Sequence, residues 1–239
     1  ISVTVKFPLV GEENTFFLAW TTTPWTLPGN VALAVSAELM YLRVKVGEEI
    51  YILSKDRAPH ILTGEYDVLG ELSGAELVGK KYLPPFSYFS EDATLKNRER
   101  GWTVYAADFV TAEDGTGIVH IAPAFGEDDM VLGTREELPF VQHVGMDGRF
   151  TPAVSDFAGV QVKSKDDPQA TDILILKYLA GKNLLFAKEK VTHSYPHCWR
   201  CDTPLIYYAR ESWFIKMTAV KDDLIRNNNT INWIPESIG

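Results

Sequence analysis

The chain has 239 residues, enough for one large domain or a domain with an appended piece. Its net charge of −9 argues against bulk electrostatic attraction to nucleic acid, although a local basic groove stays open. No apolar run is long enough to cross a bilayer, and no membrane partner is expected. Two cysteines provide no disulfide framework, so a cytoplasmic location is expected. The first residue is Ile1 in a strand-like run without a signal-peptide pattern, and the missing initiator methionine predicts a segment of a longer protein.

Alternating or continuously apolar runs predict strands at Ser2–Phe7, Thr15–Trp20, Val31–Val35, Tyr41–Val46 and Glu49–Ser54, separated by turns at Gly11, Gly29-Asn30 and Gly47. Val31–Val35 is apolar on both faces and is expected at the centre of a sheet. The run Trp20-Thr21-Thr22-Thr23-Pro24-Trp25-Thr26-Leu27-Pro28-Gly29-Asn30 concentrates hydroxyls, indoles and prolines at a strand exit. Pro24 and Pro28 bias Thr23 and Leu27 toward extended geometry, so the run is stiff enough to hold polar groups at a pocket mouth. Composition alone reads it as an edge strand leaving a sheet through a Pro-rich turn.

Residues 56–100 mix short helical turns with loops, and Trp102–Val110 is a further strand candidate. The turn Asp114-Gly115-Thr116-Gly117 feeds the strand Ile118–Ala122. Glu127-Asp128-Asp129 opens a short helix reaching about Glu137, and a clearer helix is expected from Asp167-Pro168 to Gly181. Many short strands with few helices predict a β-rich mixed α/β domain, for which a closed barrel is one architecture. From about residue 190 the character changes, which divides the chain into 1–190 and 191–239.

His120 inside an apolar strand reads either as a hydrogen-bonded core residue or as an acid, base or steric wall. Asp129 reads as a solvated cap or as a carboxylate that grips an ammonium group. Cys198-x-x-Cys201 is half of a tetrahedral zinc site; His193 and His197 are nearby candidates, and a free or incomplete knuckle is the alternative. No Ser-His-Asp order, Walker motif or dinucleotide glycine pattern is present.

The threonine-rich run resembles the signature of the isoleucyl-tRNA synthetase editing domain. Asp114-Gly115-Thr116-Gly117-Ile118-Val119-His120 with Ala122-Pro123 and Gly126-Glu127-Asp128-Asp129 resembles its second signature, and the segment from His193 to Leu205 resembles the return of that family's chain toward the synthetic core. The continuation Pro24-Trp25-Thr26-Leu27-Pro28 matches the isoleucyl pattern rather than the valyl or leucyl one. The resemblance implies the barrel-like editing domain of class I synthetases with peripheral helices. It implies hydrolysis of valyl-tRNA(Ile), with valyl-adenylate as a second substrate. Its partners would be the tRNA(Ile) acceptor end, the valine moiety and the remainder of the synthetase.

The resemblance further implies that Asp129 binds the α-ammonium and His120 rejects isoleucine. Thr21, Thr22 and Thr23 would contact adenosine, ester or water, and Trp20 and Asn30 would shape the floor. Editing would need no cofactor; Cys198 and Cys201 would join a zinc site only with a second cysteine pair from the full-length enzyme. The class I signatures His-x-Gly-His and Lys-Met-Ser-Lys-Ser are absent, so ATP binding and aminoacylation would belong to that larger protein. A non-hydrolytic tRNA-binding or structural insert, and an editing domain of valyl or leucyl type, are the competing readings.

Overall fold

A computed structural model describes residues 1–191 and 194–238. The chain packs as two compact units, Ile1–Ala209 and Arg210–Gly239. Among the described residues the first unit carries β1 (Ser2–Pro8), β2 (Thr15–Thr21), β3 (Ala32–Val35), β4 (Met40–Val46), β5 (Glu49–Ser54), β6 (Asp67–Ser73), β7 (Thr103–Ala106), β8 (Ile118–Ile121) and β9 (Leu185–Glu189). Its α-helices are α1 (Ala58–Ile61), α2 (Gly74–Leu77), α3 (Glu127–Arg135) and α4 (Ala170–Gly181). The second unit contains α5 (Met217–Asn228) and exposes Trp213, Phe214 and Ile215.

All nine strands join one sheet with the path β6-β4-β5-β2-β8-β3-β7, and β1 pairs with both β2 and β9. The pivot is β2. One edge of it runs antiparallel to β1 from Phe16 to Thr21. The other edge is shared: Thr15–Phe17 pairs in parallel with β5, and Trp20 pairs in parallel with Val119 of β8. This branching lets the sheet curl into a half-barrel whose path ends at β6 and β7. Val3, Val5, Phe7, Phe17, Leu33, Ile52 and Ile118 are fully or almost fully buried in its main core. As its two-sided apolarity predicts, β3 is buried throughout and lies between β7 and β8.

Three local readings change. The run after Thr23 is not an extended exit: Pro24–Gly29 forms a 3-10 helix, with Pro24 in the first turn where its missing N–H costs nothing. The second long helix starts at Ala170 rather than Asp167, because the Asp167 carboxylate accepts the Gln169 N–H at 3.0 Å in a turn that precedes the helix. The strand after Trp102 is only Thr103–Ala106. No described helix is long and apolar enough to cross a membrane.

Candidate functional site

Because β2 and β8 run in parallel, their C-terminal ends reach the same edge of the sheet. Thr21 ends β2, and Ile121 ends β8 just before the loop to α3. The topology thus gathers the threonine run, His120 and Asp129 at one end of one strand pair.

The three consecutive threonines, of which only Thr21 belongs to β2, divide between two sides. The Thr21 and Thr23 hydroxyls lie 3.3 Å apart, and Thr21 Oγ1 accepts the Thr23 N–H at 3.1 Å. Thr22 instead lines a cavity of about 340 Å³ with Lys163, Asp172, Tyr195 and His197. Lys163 donates to Asp172 at 2.6 Å inside that wall. Trp20 is partly buried, and its ring lies against Gly115, where a Cβ would stand 3.2 Å from the indole.

His120 is buried opposite Leu33, and both of its nitrogens are occupied. Thr26 Oγ1 lies 2.8 Å from Nε2 and 2.8 Å from the Thr23 carbonyl. A carbonyl can only accept, so the Thr26 hydroxyl donates to Thr23 and accepts from His120 Nε2–H. Nδ1 then accepts from Asn30 Nδ2, 3.3 Å away, while the same amide donates to the Ala32 carbonyl at 2.9 Å. Tyr82 donates to Asn30 Oδ1 at 2.6 Å and Trp102 donates to the Asn30 carbonyl at 3.1 Å. Every ring and amide group in this chain of bonds has a partner. Burial, with a further push from His143, lowers the His120 pKa to about 3. His120 is therefore a neutral, oriented ring at neutral and mildly acidic pH.

Asp129 lies in the first turn of α3, and its Oδ2 accepts the Ala122 N–H at 2.8 Å. Gly126 makes the approach feasible: a Cβ there would fall 2.8 Å from the Asp129 carboxyl carbon. Burial pushes the carboxyl up to about 6 against the opposing pull of the Ala122 N–H, and neighbouring Asp128 adds to the rise. A partly buried carboxylate with a raised pKa gains most from a cation.

Cys198 and Cys201 are free thiols in a tight turn. Cys198 N–H donates to the Thr203 carbonyl at 2.9 Å, and Asp202, at φ +58°, donates to the Cys198 carbonyl at 2.8 Å. Hydrogen bonds from the Thr203 side chain and backbone, then the Cys198 side chain, bring the Cys201 thiol down to about 7. The two thiols could supply two of the four donors that a tetrahedral zinc site needs. Among the described residues no group of three or more His, Cys, Asp and Glu side chains could hold a metal. His193 lies outside the described residues, and His197 Nδ1 is bonded to the Tyr195 carbonyl at 3.0 Å.

Sequence reading missed Thr26, Tyr82 and Trp102 as members of the His120 network. Thr26 sits within the run itself, whereas Tyr82 and Trp102 reach Asn30 across 52 and 72 residues, which no local pattern signals.

No protein-family model matches the chain. It is 48% identical to an isoleucine--tRNA ligase of Bacillus thuringiensis over 99% of its length and 22% of that protein, and 48% identical to one of Clostridium novyi over 98% of its length and 21% of that protein. It thus spans about a fifth of the relatives it matches. A solved structure described as GlLeuRS-CP1 aligns over 80% of this chain and all of its own, with a TM-score of 0.56 and 15% identity, which is likeness of fold. Along nearly its whole length the chain matches a portion of isoleucine--tRNA ligases in sequence, and it has the fold of a class I synthetase editing domain.

Proposed function

We propose that the chain hydrolyses valine from misacylated isoleucine tRNA, with valyl-adenylate as a second substrate. Isoleucine and valine differ by one methylene, too little for a hydrophobic synthetic pocket to separate strongly, so a second site that admits only the smaller product is required. The observation that carries the reading is the meeting of a partly buried acidic side chain without a cationic partner among the described residues, a locked neutral imidazole and a rigid threonine turn at one end of β2 and β8.

Asp129 grips the α-ammonium and so places the ester. His120, held by Thr26 and Asn30, presents a fixed wall where the extra methylene of isoleucine would lie. Hydroxyl and backbone groups of Thr21, Thr22 and Thr23 hold the adenosine, the ester carbonyl or the attacking water, and Trp20 and Asn30 complete the floor. Water adds to the ester carbonyl, the ribose oxygen leaves and takes the proton, and valine is released. Both His120 nitrogens are engaged by Thr26 and Asn30, which supports the substrate's own ribose hydroxyl as the group that orients the water. The chemistry needs no metal. Zinc, held by Cys198, Cys201 and a cysteine pair from elsewhere in the synthetase, would tie the return segment to the synthetic body. The setting is the cytoplasm, with the tRNA acceptor end and the rest of the synthetase as partners.

The test is deacylation of valyl-, threonyl- and norvalyl-tRNA by the synthetase containing this chain. Valyl ester should be the preferred substrate, Asp129→Ala should abolish its hydrolysis, and His120→Ala should let cognate isoleucyl-tRNA be hydrolysed. An unchanged rate in Asp129→Ala removes Asp129 from the scheme, and preference for the norvalyl ester favours a leucyl-type site.

A further inference from the structure

The two residues that hold His120, Thr26 and Asn30, sit one residue beyond Trp25 and Gly29. A second histidine touches both of those positions. His143 is completely buried in the segment leading to the Val144–Phe150 bridge. Its Nε2 lies 3.0 Å from the Trp25 carbonyl; because a carbonyl only accepts, Nε2 carries the proton. At the other end of the turn its ring presses on Gly29, where a Cβ would fall 2.2 Å from Nδ1. Phe125 meets the ring edge-on at 4.6 Å, and Phe150 stacks on it at 5.8 Å.

The placement is costly for a residue that only fills space. Nδ1 is buried with no partner among the described residues, a penalty that leucine or phenylalanine in the same apolar box would avoid. What the imidazole provides instead is one directed bond to a carbonyl that the 3-10 turn leaves over. The 3-10 partner of that carbonyl three residues on is Pro28, which has no N–H, while Thr26 N–H donates to Thr23 and Asn30 N–H donates to Leu27.

We infer that His143 is a positioning residue of the editing site: bonded at Trp25 and wedged at Gly29, it fixes the separation of Thr26 and Asn30 and thereby the orientation of His120. The inference rests on the proofreading role proposed above for His120. His143 touches no substrate; it acts through the turn. Its loss should blur discrimination between valine and isoleucine more than it slows hydrolysis.

The experiment compares His143→Phe, which keeps the ring and removes the donor, with His143→Gln, whose amide can donate to the same carbonyl, both in the full-length synthetase. The ratio of valyl- to isoleucyl-tRNA hydrolysis should fall about tenfold in His143→Phe, as expected for a displaced wall, and return to within about threefold of the parent in His143→Gln. An unchanged ratio in a folded His143→Phe enzyme, or an equal loss in both variants, overturns the inference. A crystal structure of His143→Gln decides it without activity, even where His143→Phe fails to fold. A glutamine amide on the Trp25 carbonyl with Thr26 still on His120 supports it; an amide turned away with the Thr26–His120 bond intact overturns it. Failure of the parent enzyme to hydrolyse valyl-tRNA would defeat the proofreading role, and the crystallographic comparison would still rule on His143.

Discussion

Asp129 is held between opposing demands. Burial raises its pKa to about 6 although the Ala122 N–H bond favours the anion. The native state therefore binds the proton more tightly than the unfolded chain between about pH 4 and pH 6. In that window the fold loses stability as pH rises, and at neutral pH the anion is a standing cost of about 1–3 kcal/mol. Asp129→Asn keeps an oxygen for Ala122 and removes the charge. It should be more stable than the parent at pH 7.5 by about that amount, with the difference vanishing near pH 4, in urea titrations at both pH values. The same variant should lose valyl-tRNA deacylation by about a hundredfold, because an amide cannot pair with an ammonium. In the parent, deacylation should decline as pH falls through about 6, and His120, already neutral there, should add no second limb. A less stable Asp129→Asn at neutral pH would show that the carboxylate is satisfied by something other than substrate.

The strand that carries His120 is aimed by the turn before it. Arg57 donates to the Gly115 carbonyl at 2.9 Å, Ser54 N–H to Thr116 at 2.8 Å, and the Tyr41 hydroxyl to Gly117 at 2.8 Å. Gly117 has φ +73°, and a Cβ on it would stand 2.3 Å from the Ser54 Cβ. Gly117→Ala should cost about 2–4 kcal/mol by urea denaturation, combining left-handed strain with overpacking. Gly11→Ala, at φ +86° with open space around it, should cost only about 1 kcal/mol from strain. Equal costs would mean that the contact with Ser54 is relieved freely. The same contrast explains which parts of the fold were legible in the sequence. Strands β1 to β5 announce themselves by apolar pattern, and the Gly-Thr-Gly turn by composition. β6 and β9 are partly exposed and polar, so nothing local separates them from loops, and only pairing with β4 and β1 makes them strands. The Pro24–Gly29 helix was hidden because two prolines argue for extended neighbours, whereas Thr26 closing back onto Thr23 stabilises the turn. Asp129 and His120 were legible as residues, but their convergence depends on parallel pairing of β2 with β8, a contact across about a hundred residues.

At the scale of the whole chain, the change of character near residue 190 and the end of the compact first unit at Ala209 are separate boundaries. The described residues between them belong to the packing of the first unit. Ala209 N–H donates to Ala124 at 2.8 Å, Gln142 donates to the Ala209 carbonyl at 2.8 Å, and Tyr208 donates to Val144 at 3.1 Å. Tyr208 and Ile206 also pack against the main core, and Lys165 holds the Cys201 carbonyl at 2.8 Å. Ala124 lies in the loop that leads from β8 to the Asp129 helix, so this segment braces the same corner from outside. A chain ending at Ala209 retains every member of the three described hydrophobic clusters, and its urea stability should lie within about 1 kcal/mol of the full chain. A chain ending at Lys190 gives up these four hydrogen bonds and the burial of Tyr208 and Ile206, and should lose about 2–4 kcal/mol. Hydrogen exchange should localise that loss: the Ala122 amide, protected by Asp129 in the longer chain, should exchange faster in the shorter one. If the two truncations melt together and protect Ala122 equally, the return segment is a passenger on the editing fold, and its cysteine turn can have no mechanical route to Asp129.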